Sequence, residues 1–121
     1  MKKTNYSTGH FAEKIALCFL CLKGYRPIAY NYTTGRGTGA GEIDLIVRHG
    51  HTLVFVEVKK RQNITTAGEA ITHKNRQRVM RAAEVFLAKH PTYAKMDVRF
   101  DAVLFTHNFI PHHIPDAWRP L

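Results

Sequence analysis

The chain has 121 residues, enough for one domain with a single hydrophobic core and too few for two. Hydrophobic residues make up 45% and charged residues 22% of the chain, ordinary values for a globular domain, so an intrinsically disordered chain is excluded. Lys and Arg number 18 against 9 Asp and Glu, giving a net charge of +9. So basic a small domain is expected to bind a polyanion, with nucleic acid ahead of an anionic membrane surface.

The first predicted element is a helix over residues 8–23, ended by Gly24. Its helical spacing predicts one buried apolar face, made of Phe11, Ala12, Ile15, Ala16, Phe19 and Leu22. Residues 18–21 are apolar nearly all round, so the helix is expected to be deeply packed or to meet a partner subunit, as in a homodimer. The longest apolar run has 8 residues, far fewer than the roughly 20 of a membrane span, and no signal-peptide cleavage site follows it. We therefore expect a soluble, cytoplasmic protein with no membrane partner.

Cys18 and Cys21 form a single C-x-x-C pair inside this helix. The pair does not stand at the strand-to-helix turn of a redox motif, and a zinc ribbon would need a second pair. Both residues are therefore predicted to be small buried side chains in a reduced protein. The 8 His residues show no metal-site spacing and are expected at the surface or in the C-terminal tail, where Trp118 is expected to be a packing anchor.

The rest of the chain is predicted to contain four strands and one further helix. The strands are expected over residues 26–32, 42–48, 52–60 and 97–106, and the helix from an N-cap at Thr72 to about Lys89. The order α-β-β-β-α-β over residues 1–121 predicts one α/β domain, a mixed β-sheet flanked by helices. The Gly-rich loop 33–41 lacks the Gly-Lys-Ser/Thr ending of a P-loop. It is interpreted either as a mobile connection or as a segment that contacts a nucleic-acid backbone through Arg36.

Three carboxylates and a lysine lie on the predicted hairpin of the second and third strands. If residues 49–50 form its two-residue turn, facing residues have numbers that sum to 99, which places Glu42 opposite Glu57. Because side chains alternate along a strand, Glu42, Asp44, Glu57 and Lys59 then project from one side of the sheet. Clustered carboxylates repel one another unless a cation lies among them, and oxygen ligands without cysteine favour Mg²⁺ or Mn²⁺. The alternative is a structural ion pair between Glu57 and Lys59, with Glu42 solvated.

The two segments of this hairpin, Gly-Glu-Ile-Asp-Leu-Ile at 41–46 and Val-Phe-Val-Glu-Val-Lys-Lys-Arg at 54–61, resemble the YraN family of predicted bacterial endonucleases. That family is similar to archaeal Holliday junction resolvases and to the wider restriction-endonuclease-like fold, with its D…(D/E)-x-K motif. The resemblance covers nearly the whole chain. It includes Gly9, Glu13, Gly24-Tyr25, Asn31, Lys74 and Arg99-Phe100-Asp101.

The resemblance implies a restriction-endonuclease-like fold and a metal-dependent endonuclease that hydrolyses phosphodiester bonds in nucleic acid. DNA is the expected partner, and branched or junction DNA the expected substrate. Asp44, Glu57 and the backbone carbonyl of Val58 would bind Mg²⁺ or Mn²⁺. Lys59 would orient or deprotonate the attacking water, and Glu13 would bridge to the metal through water or hold a second ion.

Several basic residues are candidate contacts to the nucleic acid. Lys74, Arg78 and Arg81 recur at i, i+4 and i+7 on the second helix, where they either contact phosphates or form a solvated face. Arg61, two residues after Lys59, is a candidate contact to the scissile strand. Two alternatives remain: a nucleic-acid-binding domain that keeps the fold with little turnover, and a module whose basic surface binds an acidic protein.

Overall fold

The computed structural model describes residues 2–35, 41–60, 71–106 and 109–120, and for residues 2–9 it describes the backbone alone. The described elements, in chain order, are helix α1 (Lys2–Leu22), strands β1 (Arg26–Thr33), β2 (Glu42–His49) and β3 (Thr52–Lys60), helix α2 (His73–Lys89), and strands β4 (Asp97–Phe105) and β5 (Pro111–Trp118). A 3-10 turn at Pro91–Tyr93 follows α2. The predicted order α-β-β-β-α-β is confirmed, and a fifth strand stands where an irregular tail was expected.

The five strands form one mixed sheet in the order β1-β2-β3-β4-β5. Strands β3 and β4 are parallel, whereas the other three neighbouring pairs are antiparallel. A parallel pair requires a crossover connection, which the segment containing α2 supplies. Strand β4 follows β3 along its whole length, from Thr52 beside Asp97 to Lys60 beside Phe105. Strand β3 therefore occupies the centre of the sheet.

One helix covers each face of the sheet. Helix α1 packs three small or branched side chains against one face, and these are Ala12, Ala16 and Leu20. Helix α2 packs its apolar side against the other face through Val79, Ala82, Ala83 and Phe86. Because both faces are covered, residues 53–58 of β3 are all buried, which accounts for their nearly unbroken apolar run. Glu57 is the exception in that run.

The buried side of α1 agrees with the predicted one at Ala12 and Ala16 and differs at its edges. The buried residues at i, i+4 and i+8 are Ala12, Ala16 and Leu20, whereas Phe11 and Leu22 are 57% and 88% exposed. Small alanines let the helix approach the sheet closely, so the bulkier apolar side chains fall outside the contact. The helix also begins at Lys2 rather than at residue 8.

Cys18 and Cys21 lie on the outer side of α1. Both are exposed and free, so the prediction of buried cysteines is wrong. The physical reason is the helical period, because Ala16 and Leu20 take the side that meets the sheet and the cysteines point elsewhere. Within the described ranges, no helix has the length and apolarity that crossing a bilayer requires.

The hairpin of β2 and β3 turns one residue later than predicted. His49 pairs with Thr52 and Leu45 with Val56, so paired numbers sum to 101 and the turn lies at residues 50–51. Gly50, with a φ of 61°, supplies the left-handed backbone that such a tight turn requires. The predicted register is therefore wrong by two residues, and the pairs of this ladder end at Leu45 and Val56, so Glu42 is not paired with Glu57.

The two outer strands contain all the prolines found in the sheet's described strands, namely Pro27 in β1 and Pro111 and Pro115 in β5. Proline is rare inside central strands because it cannot donate to the ladder, but on an outer strand the missing N–H can face solvent. This is why β5 was not predicted as a strand.

Trp118 ends β5 and fixes it to the sheet. Its side chain is 6% exposed and stacks on Phe100 of β4, with ring centroids 5.5 Å apart. Trp118 is therefore the packing anchor that the sequence predicted.

Candidate active site

The fold brings together four of the residues predicted to form the site, from three separate elements. Glu13 lies on α1, Asp44 on β2, and Glu57 and Lys59 on β3. Asp44 Oδ2 accepts a hydrogen bond of 2.8 Å from the Val58 N–H, and Lys59 Nζ lies 3.7 Å from Glu57 Oε2. The charge of Asp44 acts on both Glu13 and Glu57. Three carboxylates and one ammonium group therefore form a single cluster at the β2–β3 pair.

Glu57 is a carboxylic acid inside an otherwise apolar strand. Burial, followed by the charge of Asp44 and a hydrogen bond to it, raises the pKa of Glu57 to about 9, although the charge of Lys59 acts in the opposite direction. The nearby ammonium is thus too little to offset burial and the neighbouring acids. The surroundings of Glu57 therefore favour its neutral, protonated form.

The surroundings of Glu13, on α1, also favour its neutral form. Burial and then the charge of Asp44, with a hydrogen bond to it and the charge of Glu42, raise the pKa of Glu13 to about 8. Its Oε1 atom is buried and has no hydrogen-bond partner in the part of the chain that the structure describes. The His10 Nδ1 atom is 3.9 Å from it, beyond hydrogen-bond distance. A buried acceptor without a donor is costly, so this oxygen is available to a ligand.

The donor set of the cluster suits a hard divalent cation. Its three acids offer only oxygen atoms, the ligands that Mg²⁺ and Mn²⁺ prefer. Across residues 10–35, 41–60, 71–106 and 109–120, however, no three Asp, Glu, His or Cys side chains already surround a common point. Asp44 instead accepts the Val58 N–H, and Glu57 faces Lys59. A cation at this cluster, with the Val58 carbonyl among its ligands, stays a prediction.

His10 and Asn31, which were not predicted as site residues, flank Glu13. Asn31 Nδ2 lies 3.1 Å from His10 Nδ1, and a hydrogen bond from Asn31 lowers the pKa of Glu13. Asn31 has a φ of 52°, a left-handed conformation that Asn adopts more readily than most residues. The resemblance had included Asn31 without a role, and only the placement of β1 beside α1 reveals one. His10 is half-buried here rather than at an open surface.

The predicted basic residues of α2 are exposed on its outer side, and they are Lys74, Arg78 and Arg81. Arg78 borders the start of β2, because a β-carbon on Gly41 would lie 3.7 Å from the Arg78 Cβ. The basic side of α2 therefore adjoins the strand that carries Asp44. Arg36 and Arg61 lie outside the described residues.

A second buried charged cluster, centred on Asp101 of β4, was not predicted. Asp101 is fully buried and accepts two hydrogen bonds of 2.8 Å from Arg99. His113 Nε2 lies 2.7 Å from Asp101 Oδ2, and the Asp116 N–H donates to Oδ1 at 2.9 Å. Burial alone would raise the pKa of Asp101, but the hydrogen bonds from Arg99, His113 and the Asp116 N–H lower it below its usual range.

The Asp101 cluster ties three elements together. Arg99 also donates to the Tyr25 hydroxyl at 2.8 Å, and Lys23 Nζ lies 2.6 Å from His113 Nδ1. The His113 side chain is 2% exposed, so the expectation of a tail histidine at the surface is wrong for this residue. Polar contacts thus join strands β4 and β5 to the connection between α1 and β1, which is a structural role.

Comparison with known proteins places this fold in a family. The family model described as "Uncharacterised protein family UPF0102" matches residues 12–105. The UPF0102 protein amb4503 of Paramagnetospirillum magneticum is 50% identical over 111 residues, 92% of this chain and 86% of that protein. A UPF0102 protein of Methylorubrum extorquens is 44% identical over 117 residues, 97% of this chain and 88% of that protein. The matched range contains all four clustered residues, and this chain belongs to the uncharacterised protein family UPF0102.

Proposed function

We propose that this protein is a metal-dependent endonuclease that hydrolyses phosphodiester bonds, with branched or junction DNA as its substrate class. The observation that carries the proposal is the convergence of Glu13, Asp44, Glu57 and Lys59 from three elements. The chain as a whole has a net charge of +9, so it suits a polyanion. A domain that only bound nucleic acid would not need three acids gathered beside one another in a basic molecule. The resemblance to the YraN endonucleases, with their D…(D/E)-x-K motif, supports the same reading.

Each residue of the cluster has a role in this proposal. Asp44 and Glu57 would hold the divalent cation, which when bound supplies a Lewis acid for the phosphate and lowers the pKa of its water. Lys59, beside Glu57, orients the attacking water and offsets the negative charge that develops on the phosphate. The unpartnered Glu13 Oε1 is placed to accept a hydrogen bond from a water molecule in the cluster.

Cleavage assays with Mg²⁺ or Mn²⁺ on branched, flapped, linear and RNA substrates test the proposal. The wild type is expected to cut branched DNA, and a chelator is expected to stop it. Lys59→Met should reduce cleavage by about 100-fold or more, because charge stabilisation of this kind contributes roughly 3 kcal/mol. The same variant should keep its stabilisation by Mn²⁺ in thermal melts, since Lys59 is not a metal ligand. Failure of the wild type to cut any substrate with either ion would contradict the proposal.

The basic side of α2 should carry the phosphate contacts. Replacing Lys74, Arg78 and Arg81 with Ala is expected to reduce the slope of log affinity against log salt concentration by about 2.7 for duplex DNA, because each neutralised phosphate contributes about 0.9. Because all three side chains are exposed, the fold should persist. Anisotropy titrations over a range of salt concentrations, with circular dichroism as a check on folding, measure both.

A matched triple variant controls for net charge. Arg26, Lys89 and Lys95 are likewise exposed, and their replacement by Ala removes the same charge from positions away from that side of α2. If both triple variants flatten the slope equally, binding follows total charge and α2 has no special role.

A second candidate function is a nucleic-acid-binding domain with little turnover, for which the net charge of +9 would suffice without the acids. Such a domain would bind branched DNA with the same salt dependence and leave it intact in Mg²⁺ and Mn²⁺.

A further inference from the structure

A partly exposed aromatic cluster borders the candidate active site on the α1 side of the sheet. Phe11 is 57% exposed, and its ring meets that of Phe109 edge-on with centroids 5.7 Å apart. Lys60 Nζ lies 4.7 Å from the centroid of the Phe109 ring. Phe105, which is fully buried, supports Phe109 at a centroid distance of 5.7 Å. We call Phe11, Phe109 and Lys60 the aromatic patch.

The aromatic patch and the carboxylate cluster share two elements. Lys60 directly follows Lys59 at the end of β3, and Phe11 precedes Glu13 by two positions on α1. Neighbouring strand residues face opposite sides, and helix residues two apart point in different directions. The aromatic patch therefore lies next to the cluster without being part of it. A DNA strand that crosses the end of β3 would meet Lys59 on one side and Lys60 on the other.

The composition of the patch suits an unpaired nucleotide. Exposed aromatic rings beside cations are the features that single-strand binding sites use, with a base stacked on the ring and the cation near the phosphate. The bases of a duplex are already stacked on their neighbours and cannot use such a ring. A mostly exposed Phe also forgoes the stabilisation that burial would supply, so a base that covers Phe11 gains it on binding.

We propose that the aromatic patch binds an unpaired nucleotide of the DNA strand next to the scissile phosphate. The inference rests on the proposed endonuclease function, because only an endonuclease has a scissile phosphate beside the patch. Binding of the unpaired nucleotide itself requires no cleavage. The patch then directs the protein to DNA that carries a single-stranded segment beside the cut, as flaps and branch points do.

Binding to labelled single-stranded and blunt duplex DNA of equal length, measured by anisotropy in a chelator, tests the inference. Phe11→Ala should weaken single-strand binding by about fivefold or more and leave duplex binding within about twofold. Phe11→Trp should restore single-strand binding, because another aromatic ring again offers a stacking face. Leu22→Ala is the matched control, since it removes a larger exposed fraction of an apolar side chain, 88%, from the same helix. It should change neither affinity.

The outcomes separate this inference from the proposed function. If the wild type cleaves with Mg²⁺ and Phe11→Ala keeps its affinity for single-stranded DNA, the inference about the patch is wrong and the proposed endonuclease function is supported. If the wild type cleaves no substrate and Phe11→Ala still loses affinity for single-stranded DNA, the proposed endonuclease function is wrong and nucleotide binding by the patch is supported. If Phe11→Ala converts a dimer into a monomer in sedimentation without changing DNA binding, Phe11 covers a subunit contact and the inference is wrong.

Discussion

Asp44→Asn is expected to abolish both cleavage and stabilisation by Mn²⁺ while leaving the metal-free protein at least as stable as the wild type. The charge of Asp44 raises the pKa of both Glu13 and Glu57, so its removal relieves repulsion within the cluster. The new amide oxygen can still accept the Val58 N–H, which Asp44 accepts at 2.8 Å. The substitution therefore removes a charge and keeps the hydrogen bond from the Val58 N–H.

The expected stabilisation of the wild type by Mn²⁺ can be given a magnitude. A ligand that binds only the native state stabilises it by about 2.7 kcal/mol at a hundredfold Kd, which raises the melting temperature of a domain of this length by roughly 10 °C. That shift should appear in the wild type and vanish in Asp44→Asn, together with a loss of cleavage of about 100-fold or more. DNA binding should persist, because the expected phosphate contacts lie on α2.

Thermal melts with and without Mn²⁺, alongside cleavage assays, measure these effects. Glu84→Gln is the matched control, because it neutralises an exposed acid on α2 away from the cluster. It should keep the Mn²⁺ shift. If Mn²⁺ shifts neither the wild type nor Asp44→Asn, and Asp44→Asn melts much lower, the carboxylates form a structural network and the binding-only function takes the lead.

Asp101→Asn, the same chemical change, is expected to act in the opposite direction on stability. Asp101 is fully buried and is surrounded by donors, with two hydrogen bonds from Arg99 and a contact to His113. Removing one partner of a buried ion pair leaves the other charge uncompensated, which costs about 3–5 kcal/mol. The melting temperature should fall by roughly 15 °C, well outside the range of an ordinary surface substitution.

Asp116→Asn serves as the control for Asp101→Asn. Asp116 supplies only its backbone N–H to Asp101, and its φ of 54° is one that Asn tolerates. Urea unfolding of the three proteins compares the two sites. Similar midpoints for Asp101→Asn and the wild type would show that the buried cluster contributes nothing to stability.

The Asp101 cluster also predicts how stability depends on pH. Because the pKa of Asp101 is lowered in the folded protein, its contribution is fully present above the unfolded pKa of about 3.9 and is lost as the pH falls through the folded value. The wild type should therefore lose stability in acid more steeply than Asp101→Asn. Urea midpoints taken from neutral pH down to about pH 2 measure the difference between the two slopes. Equal slopes would contradict the lowered pKa.

The hairpin of β2 and β3 could be predicted because side chains alternate along both strands with a period of two. The turn moved by one residue and the register by two, a shift that keeps the side of the sheet that each paired residue faces. The approach of Asp44 to Glu57 could not be derived from that period alone, because Ile43 packs in the core cluster on the α2 side and Leu45 in the one on the α1 side, so the alternation is interrupted at Asp44. The strong hydrophobic pattern of β3 and the Thr72 cap of α2, whose side chain accepts the Asn75 N–H, were equally readable.

The features that sequence reasoning missed depend on neighbours distant in the chain. His10 contacts Asn31, which is 21 residues away in the sequence, and His113 contacts Lys23, which is 90 residues away. The hydrophobic periodicity within one helix or strand does not indicate such contacts. Arg99 and Asp101 gave a two-residue charge pair within a strand, but only the arrival of β5 beside β4 shows that Asp101 is buried and fully hydrogen-bonded.

The prolines of the outer strands protect this protein at the place where it is proposed to work. Under the proposed function, DNA would neutralise the charge of +9 that keeps copies of the chain apart in solution, and it would bring them close together. Two unprotected sheet edges would then be free to join into a continuous intermolecular sheet. Pro27, Pro111 and Pro115 have no backbone N–H to donate, and the ladder of β1 is also interrupted between Pro27 and Ala29. Under the proposed function, these outer strands would hinder edge-to-edge aggregation of molecules crowded on one DNA.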